Sequence, residues 1–222
     1  MQPFFQYLKY FFYIARNWSI SIAIHIIRNE IKGEKKYGIN TTGADELKSL
    51  AKMGIDITHA TIYMPVSYDV IEHFFDKAHI QQCQHFLDIG CGKGRALCVA
   101  AAMGATKLSG IELSKALFME AKANTAITQQ QYPNTQINLY HNDAFYFEIA
   151  ADVDCILMFN PFDEVIMSGV MENIDISLAN NPRKMTIIYI NPLEKQVLQS
   201  FGYKQVYYYK EKIYLEGAIF EK

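Results

Sequence analysis

Five residues stand at spacings that suit a chemical site: Asp88, Gly90, Gly92, Gly94 and Glu112. Four of them fall in the run Phe86-Leu-Asp-Ile-Gly-Cys-Gly-Lys-Gly-Arg95. Phe86, Leu87 and Ile89 suit a short buried parallel strand with Asp88 near its carboxyl end. The three glycines, with Cys91 and Lys93 between them, lead into Arg95-Ala-Leu-Cys-Val-Ala-Ala-Ala-Met103, which suits a helix. Glycine is required where a backbone takes positive φ or lies flat against a ligand, because no Cβ intrudes. In open α/β sheets ligands bind beyond the carboxyl ends of the strands. A dinucleotide fingerprint, Gly-x-Gly-x-x-Gly, would place its third glycine at position 95. Here that position is Arg95 and the glycine comes one residue early. The spacing therefore departs from the dinucleotide fingerprint.

The run Asp-x-Gly-x-Gly-x-Gly resembles motif I of the class I S-adenosylmethionine-dependent methyltransferases. That resemblance implies that the loop of Gly90, Cys91, Gly92 and Gly94 passes under the methionine part of S-adenosyl-L-methionine. It also implies that Asp88 helps to hold that end. Lys107-Leu-Ser-Gly-Ile111 reads as a second strand ended by Glu112, placed to accept hydrogen bonds from two ribose hydroxyls, with Leu113 beside it. Nicotinamide enzymes share this acid, so it does not discriminate by itself. A helix from Ser114 to Ile127 and a third strand, Gln136–Tyr140, follow. By the same resemblance Asp143 contacts the adenine amino group, with Ala144 and Phe145 near the ring; the alternative for Asp143 is a solvated loop acid.

Asp154-Cys-Ile-Leu-Met-Phe159 is an unbroken apolar run, as expected of a strand covered on both faces. It leads into Asn160-Pro161-Phe162-Asp163. Methyltransferases that modify planar or exocyclic nitrogens often carry Asp/Asn-Pro-Pro-aromatic at this place. The resemblance implies that Asn160 and the Pro161 carbonyl orient a target amine while Phe162 walls the channel. This chain lacks the second proline, and a plain turn after a buried strand also accounts for Asn-Pro. Upstream, Tyr63-x-Pro65 is similar to the lead-in of Dot1-like protein-lysine methyltransferases and bacterial relatives. It nominates Tyr63 and Tyr68 at the methyl-transfer channel, with half-buried packing as the alternative for both. Helical spacing of Val70, Ile71, Phe74 and Phe75 follows.

These elements predict an α/β fold: a Rossmann-like, doubly wound seven-stranded sheet with an N-terminal helical extension. Met185–Ile190 is the fifth strand and Leu193–Phe201 a short helix. Tyr203–Tyr208 and Ile213–Phe220 form a closing antiparallel hairpin around the turn Tyr209–Lys212. Such a hairpin separates a class I methyltransferase sheet from a nicotinamide-binding one. The expected division is an extension or cap over residues 1–57 and a methyltransferase domain over 58–222. Catalysis on a protein side chain or small-molecule amine is the leading reading. A non-catalytic S-adenosylmethionine-binding module and a dinucleotide-dependent oxidoreductase are the alternatives.

Residues 1–52 hold eight Lys/Arg against four acids and are rich in aromatics. Ile20, Ile22, Ile24 and Ile26 alternate, but the continuous apolar run favours helix. The longest uncharged stretch, 17–27, has eleven residues, against about twenty for a membrane span. The segment suits a cap over the cofactor pocket, a dimer contact, or peripheral membrane contact through residues 1–31. Gly33–Gly43 reads as a loop, and Thr42-x-x-Asp45 as a capping box for a helix through Met53. A net charge of −2 speaks against nucleic acid as partner. The cysteines Cys83, Cys91, Cys98 and Cys155 follow no metal-ligand spacing and suit reduced thiols of a cytoplasmic protein. The six histidines are scattered, so no metal is expected.

Overall fold

The computed structural model describes residues 2–43, 65–159, 162–210 and 216–222. Its centre is a seven-stranded sheet of order β3-β2-β1-β4-β5-β7-β6. The strands are β1 (Phe86–Ile89), β2 (Lys107–Glu112), β3 (Gln136–His141), β4 (Cys155–Phe159), β5 (Thr186–Ile190), β6 (Lys204–Lys210) and β7 (Glu216–Glu221). The first five run parallel. β7 is antiparallel to both β5 and β6. Tyr209 and Lys210, expected in the hairpin turn, extend β6 instead. The expected turn residues 211 and 212 lie outside the described residues, as does the expected start of β7.

Alternation along each strand builds two cores. Phe86, Leu108, Cys155, Leu157, Ile188 and Ile219 face one side, covered by α3 (Tyr68–Lys77) and α4 (Arg95–Ala102). Leu87, Ile89, Ile111, Ile156, Met158 and Tyr189 face the other. Met167, Val170, Met171 and Ile174 of α6 (Glu164–Asn180) and Val197 and Leu198 of α7 (Lys195–Ser200) cover that side. Between β2 and β3 runs α5 (Lys115–Gln131), capped by Ser114, whose Oγ accepts from the Leu117 amide at 3.4 Å. The helix α6 is not marked by a clear amphipathic period. Its apolar residues lie on several faces, and Val165 and Ile176 remain exposed.

Ahead of the sheet stand two helices, α1 (Gln2–Asn17) and α2 (Ile20–Tyr37), with a small core of Tyr10, Ile14 and Ala23 between them. Ser19 caps α2 by accepting from the Ile22 amide at 3.2 Å, and Gly38 ends it at φ +69°. The helix thus runs through Gly33, where the glycine pattern suggests a loop. The reason is close packing. A Cβ at Gly33 would stand 2.2 Å from Cδ2 of Tyr68, a ring that is itself stacked on Tyr37. Gly33→Ala is expected to lose about 1–3 kcal/mol of stability despite the better helix propensity of alanine, because Tyr68 has nowhere to retreat. Chemical denaturation checks this. Unchanged or increased stability would show that the two helices can separate at little cost.

Among the described residues no helix is long and apolar enough to cross a membrane. All four cysteines are free thiols, with Cys91, Cys98 and Cys155 buried.

Candidate functional site

The three loop glycines all take left-handed backbone: φ is +77° at Gly90, +54° at Gly92 and +81° at Gly94. A side chain at any of them would be strained. The amides of Gly90 and Cys91 both donate to the Ile111 carbonyl, at 3.0 and 2.9 Å, tying the loop to β2. Gly110 allows this approach, since a Cβ there would lie 2.9 Å from Cys91 Sγ and 2.7 Å from Leu97 Cδ1. Gly94 then opens α4.

Two acids flank the loop. Register pairs Ile89 with Ile111, so Glu112, the last residue of β2, stands at the level of Gly90. Glu112 is buried, and its oxygens accept from the Gly92 amide at 2.8 Å and the Ser114 amide at 2.7 Å. Burial raises its carboxyl above the usual range, opposed by those backbone donors. Asp88 is also buried and accepts no hydrogen bond from a described residue. Burial, reinforced by the nearby Glu112 charge, pushes its carboxyl up to about 8. A buried acid lacking a donor among the described residues, beside a loop with three glycines, fits a ligand that brings its own positive charge and donors.

The third strand completes this edge. Glu112 pairs with His141, whose Nε2 lies 3.0 Å from the Leu113 carbonyl. Leu113 is half-buried there. Two residues further, Asp143 accepts from the Phe145 amide at 2.9 Å and caps a single turn, 144–146. Ala144 is buried in the core beneath it. The structure therefore gathers Asp88, Gly90, Cys91, Gly92, Gly94, Glu112, Leu113, Asp143 and Ala144 at the carboxyl edge of β1, β2 and β3.

The nominated catalytic residues are less fully placed. Tyr63, Asn160 and Pro161 lie outside the described residues, as does the expected helix from Asp45 to Met53. β4 ends at Phe159, beside β1, and Phe162 resumes half-buried against the core that contains Met158 and Met167. Asp163 has a local role that the sequence motif conceals: its Oδ1 accepts from the Val165 and Ile166 amides, both at 3.1 Å, and starts α6. Tyr68 is buried, with its hydroxyl 2.8 Å from Thr41 Oγ1 and its ring stacked on Tyr37. In this structure it packs at the junction of α2 and α3.

That junction contains residues not anticipated from sequence. Arg95, the residue that breaks the dinucleotide pattern, is 4% exposed, and its guanidinium reaches Glu30 on α2, which is 0% exposed. Arg95 NH1 donates to Glu30 Oε1 and to the Val66 carbonyl, each at 2.7 Å, and Nε donates to Thr41 Oγ1 at 2.8 Å. Its Cζ lies 4.1 Å from the Tyr68 ring centroid. Thr42 donates its hydroxyl to Glu30 at 2.6 Å, and Glu34 accepts the Thr41 and Thr42 amides at 2.7 Å. From α5, Asn124 donates to the Asn40 and Lys93 carbonyls at 3.1 and 2.9 Å. Lys93 pairs with Glu120 at 2.9 Å. The glycine loop is thus bolted to the N-terminal helices. A lone pair of acids in an otherwise basic helix was the available signal.

Five parallel strands, a reversed hairpin and an acid-flanked glycine loop make up the Rossmann-like fold of methyltransferases. Residues 87–186 match the family described as Methyltransferase domain. Over those residues the chain is similar to methyltransferase domains, and its sheet has the Rossmann-like methyltransferase fold. Among solved structures it is similar to an RNA methyltransferase from Salinibacter ruber in complex with S-adenosyl-L-homocysteine. The two are 13% identical with a TM-score of 0.50, over 71% of this chain and 92% of that one. A similar match is the SAM-dependent methyltransferase from Thiobacillus denitrificans in complex with S-adenosyl-L-homocysteine, at 17% identity and TM-score 0.50, over 67% and 68%. The PH0226 protein from Pyrococcus horikoshii OT3 aligns at 12% identity and TM-score 0.52, over 68% and 87%. At these identities the likeness concerns the fold. No curated protein matches the chain by sequence.

Proposed function

We propose that this enzyme transfers the methyl group of S-adenosylmethionine to a nitrogen, on a protein side chain or a small-molecule amine, with residues 1–57 as its cap and 58–222 as its catalytic domain. The observation that supports the cofactor site best is the buried Asp88 carboxyl, lacking a donor among the described residues, beside three positive-φ glycines. In this reading Asp88 and the loop of Gly90, Cys91, Gly92 and Gly94 hold the amino-acid end. Glu112 and Leu113 hold the ribose, and Asp143 and Ala144 the adenine. When bound, S-adenosylmethionine supplies an activated methyl group. The protein then has to orient the acceptor and exclude water, effects worth about 7–11 kcal/mol in the best model reactions. The Asn160 side chain and the Pro161 carbonyl would accept from the target amine and aim its lone pair. Phe162, Tyr63 and Tyr68 would shape the approach.

The nitrogen assignment is supported by Asn160-Pro161-Phe162 directly following β4. Its test is transfer of labelled methyl to amine, hydroxyl and carboxyl acceptors, with Asn160→Ala alongside. Amine labelling lost in the variant while cofactor binding persists is the expected outcome. Labelling of oxygen acceptors, unaffected by the variant, would overturn it.

Asp88 gives the site a pH dependence. Below about 8 the free protein holds the Asp88 proton. A ligand with a sulfonium and an ammonium favours the carboxylate, so binding expels the proton. Affinity for S-adenosylmethionine should therefore climb as pH rises, by up to about tenfold per unit, and level off above about 8. Asp88→Asn should flatten the profile. A wild-type affinity independent of pH from 6 to 8 would remove Asp88 from the cation's surroundings.

A further inference from the structure

Helices α1 and α2 turn their acids inward. Residues 1–37 contain two acids, Glu30 and Glu34, and both are buried in the polar junction with the glycine loop. The outward faces are of a different kind. On α1 the exposed residues Phe5, Leu8, Lys9, Phe12 and Arg16 recur at helical spacing and form one stripe. On α2 the exposed stripe is Ile20, Ile24, Arg28, Ile31 and Lys35. Phe5, Phe12 and Ile20 are 66, 62 and 65% exposed, far more than single surface apolar residues require. Lys9, Arg16, Arg28 and Lys35 form no ion pair with a described residue. Each helix therefore presents large apolar side chains interleaved with cations and without exposed acids. The rest of the chain has the opposite balance, thirteen basic against nineteen acidic residues beyond residue 52.

From this charge pattern we propose that the outward faces of α1 and α2 dock on an anionic lipid bilayer. Apolar side chains enter the boundary of the acyl region, while lysine and arginine stay at the level of the headgroups. Each cation near an anionic leaflet adds attraction. A second copy meeting these faces with its own would bring cations against cations, whereas an anionic bilayer matches both their apolar and their cationic residues. The helices lie on the membrane without crossing it. Because Glu30 fastens α2 to Arg95, docking would hold the glycine loop at a fixed distance from the bilayer.

Trp18, the single tryptophan, joins the two helices and is 39% exposed, so it reports contact directly. The full chain is mixed with vesicles of phosphatidylcholine alone, or of phosphatidylcholine with phosphatidylglycerol, while Trp18 emission and co-sedimentation are followed. The expected result is a blue shift and co-sedimentation with the anionic vesicles, at least about tenfold weaker with neutral ones and weakened by salt. Leu8→Glu/Phe12→Glu and Lys9→Gln/Arg16→Gln/Arg28→Gln should each weaken binding at least about tenfold while melting like the wild type. No binding by the folded wild type, equal binding by both variants, or a dimer that Leu8→Glu/Phe12→Glu dissociates in the absence of vesicle binding would overturn the proposal. None of these outcomes depends on methyl transfer.

Discussion

Arg95→Ala should lower the free energy of unfolding by about 3–5 kcal/mol, a fall in Tm of roughly 10 °C for a chain of this size. The reason is the carboxylate left behind. Glu30 is 0% exposed, and its main counter-charge is the Arg95 guanidinium, held by NH1 at 2.7 Å and NH2 at 2.5 Å. Removing the arginine strands a buried charge and also takes away the guanidinium donors to Thr41 Oγ1 and the Val66 carbonyl. The reverse variant, Glu30→Ala, should cost a similar amount because it strands the guanidinium. Exchanging both partners, as Glu30→Leu/Arg95→Met, should recover most of the loss, since an apolar pair of similar volume needs no counter-charge. Thermal unfolding followed by circular dichroism gives the three values. A loss below about 1 kcal/mol for Arg95→Ala would mean that the pair is solvated and does not anchor the helices to the loop.

Glu112→Ala should weaken S-adenosylmethionine binding by at least about 100-fold. Two hydrogen bonds from ribose hydroxyls to a carboxylate contribute about 1.5–3 kcal/mol each. The alanine also removes the acceptor of the Gly92 and Ser114 amides, which set the shape of the loop on which the cofactor rests. Glu112→Gln separates the two effects. It keeps an oxygen for one amide but loses the charge, so its affinity should fall between those of the wild type and the alanine variant. Titration calorimetry below the melting range of each variant gives the comparison. An unchanged affinity in a folded Glu112→Ala protein would place the ribose elsewhere.

The parts of this fold that follow local rules were legible from the chain. The glycine loop shows itself because positive φ leaves little choice but glycine, and β4 because a strand covered on both faces must be apolar throughout. Glu112 is found by counting one strand onward. The helix Glu164–Asn180 was hidden, since its apolar residues do not keep to one face, and Asp163 is seen as its cap only once the helix is known. Gly33 reads as a loop residue because its purpose, room for the Tyr68 ring, lies 35 positions away in sequence. The Arg95–Glu30 bridge spans 65 positions and leaves no periodic trace. Side chains that act at a distance in the chain become visible only when the chain is folded.

The measurement that tests the central claim most directly is calorimetric titration of the intact wild-type chain with S-adenosylmethionine and with S-adenosylhomocysteine. The site described here predicts saturable one-to-one binding of both, with Kd on the order of micromolar. A cooperatively folded protein that gives no heat and no rise in Tm with either compound would contradict it.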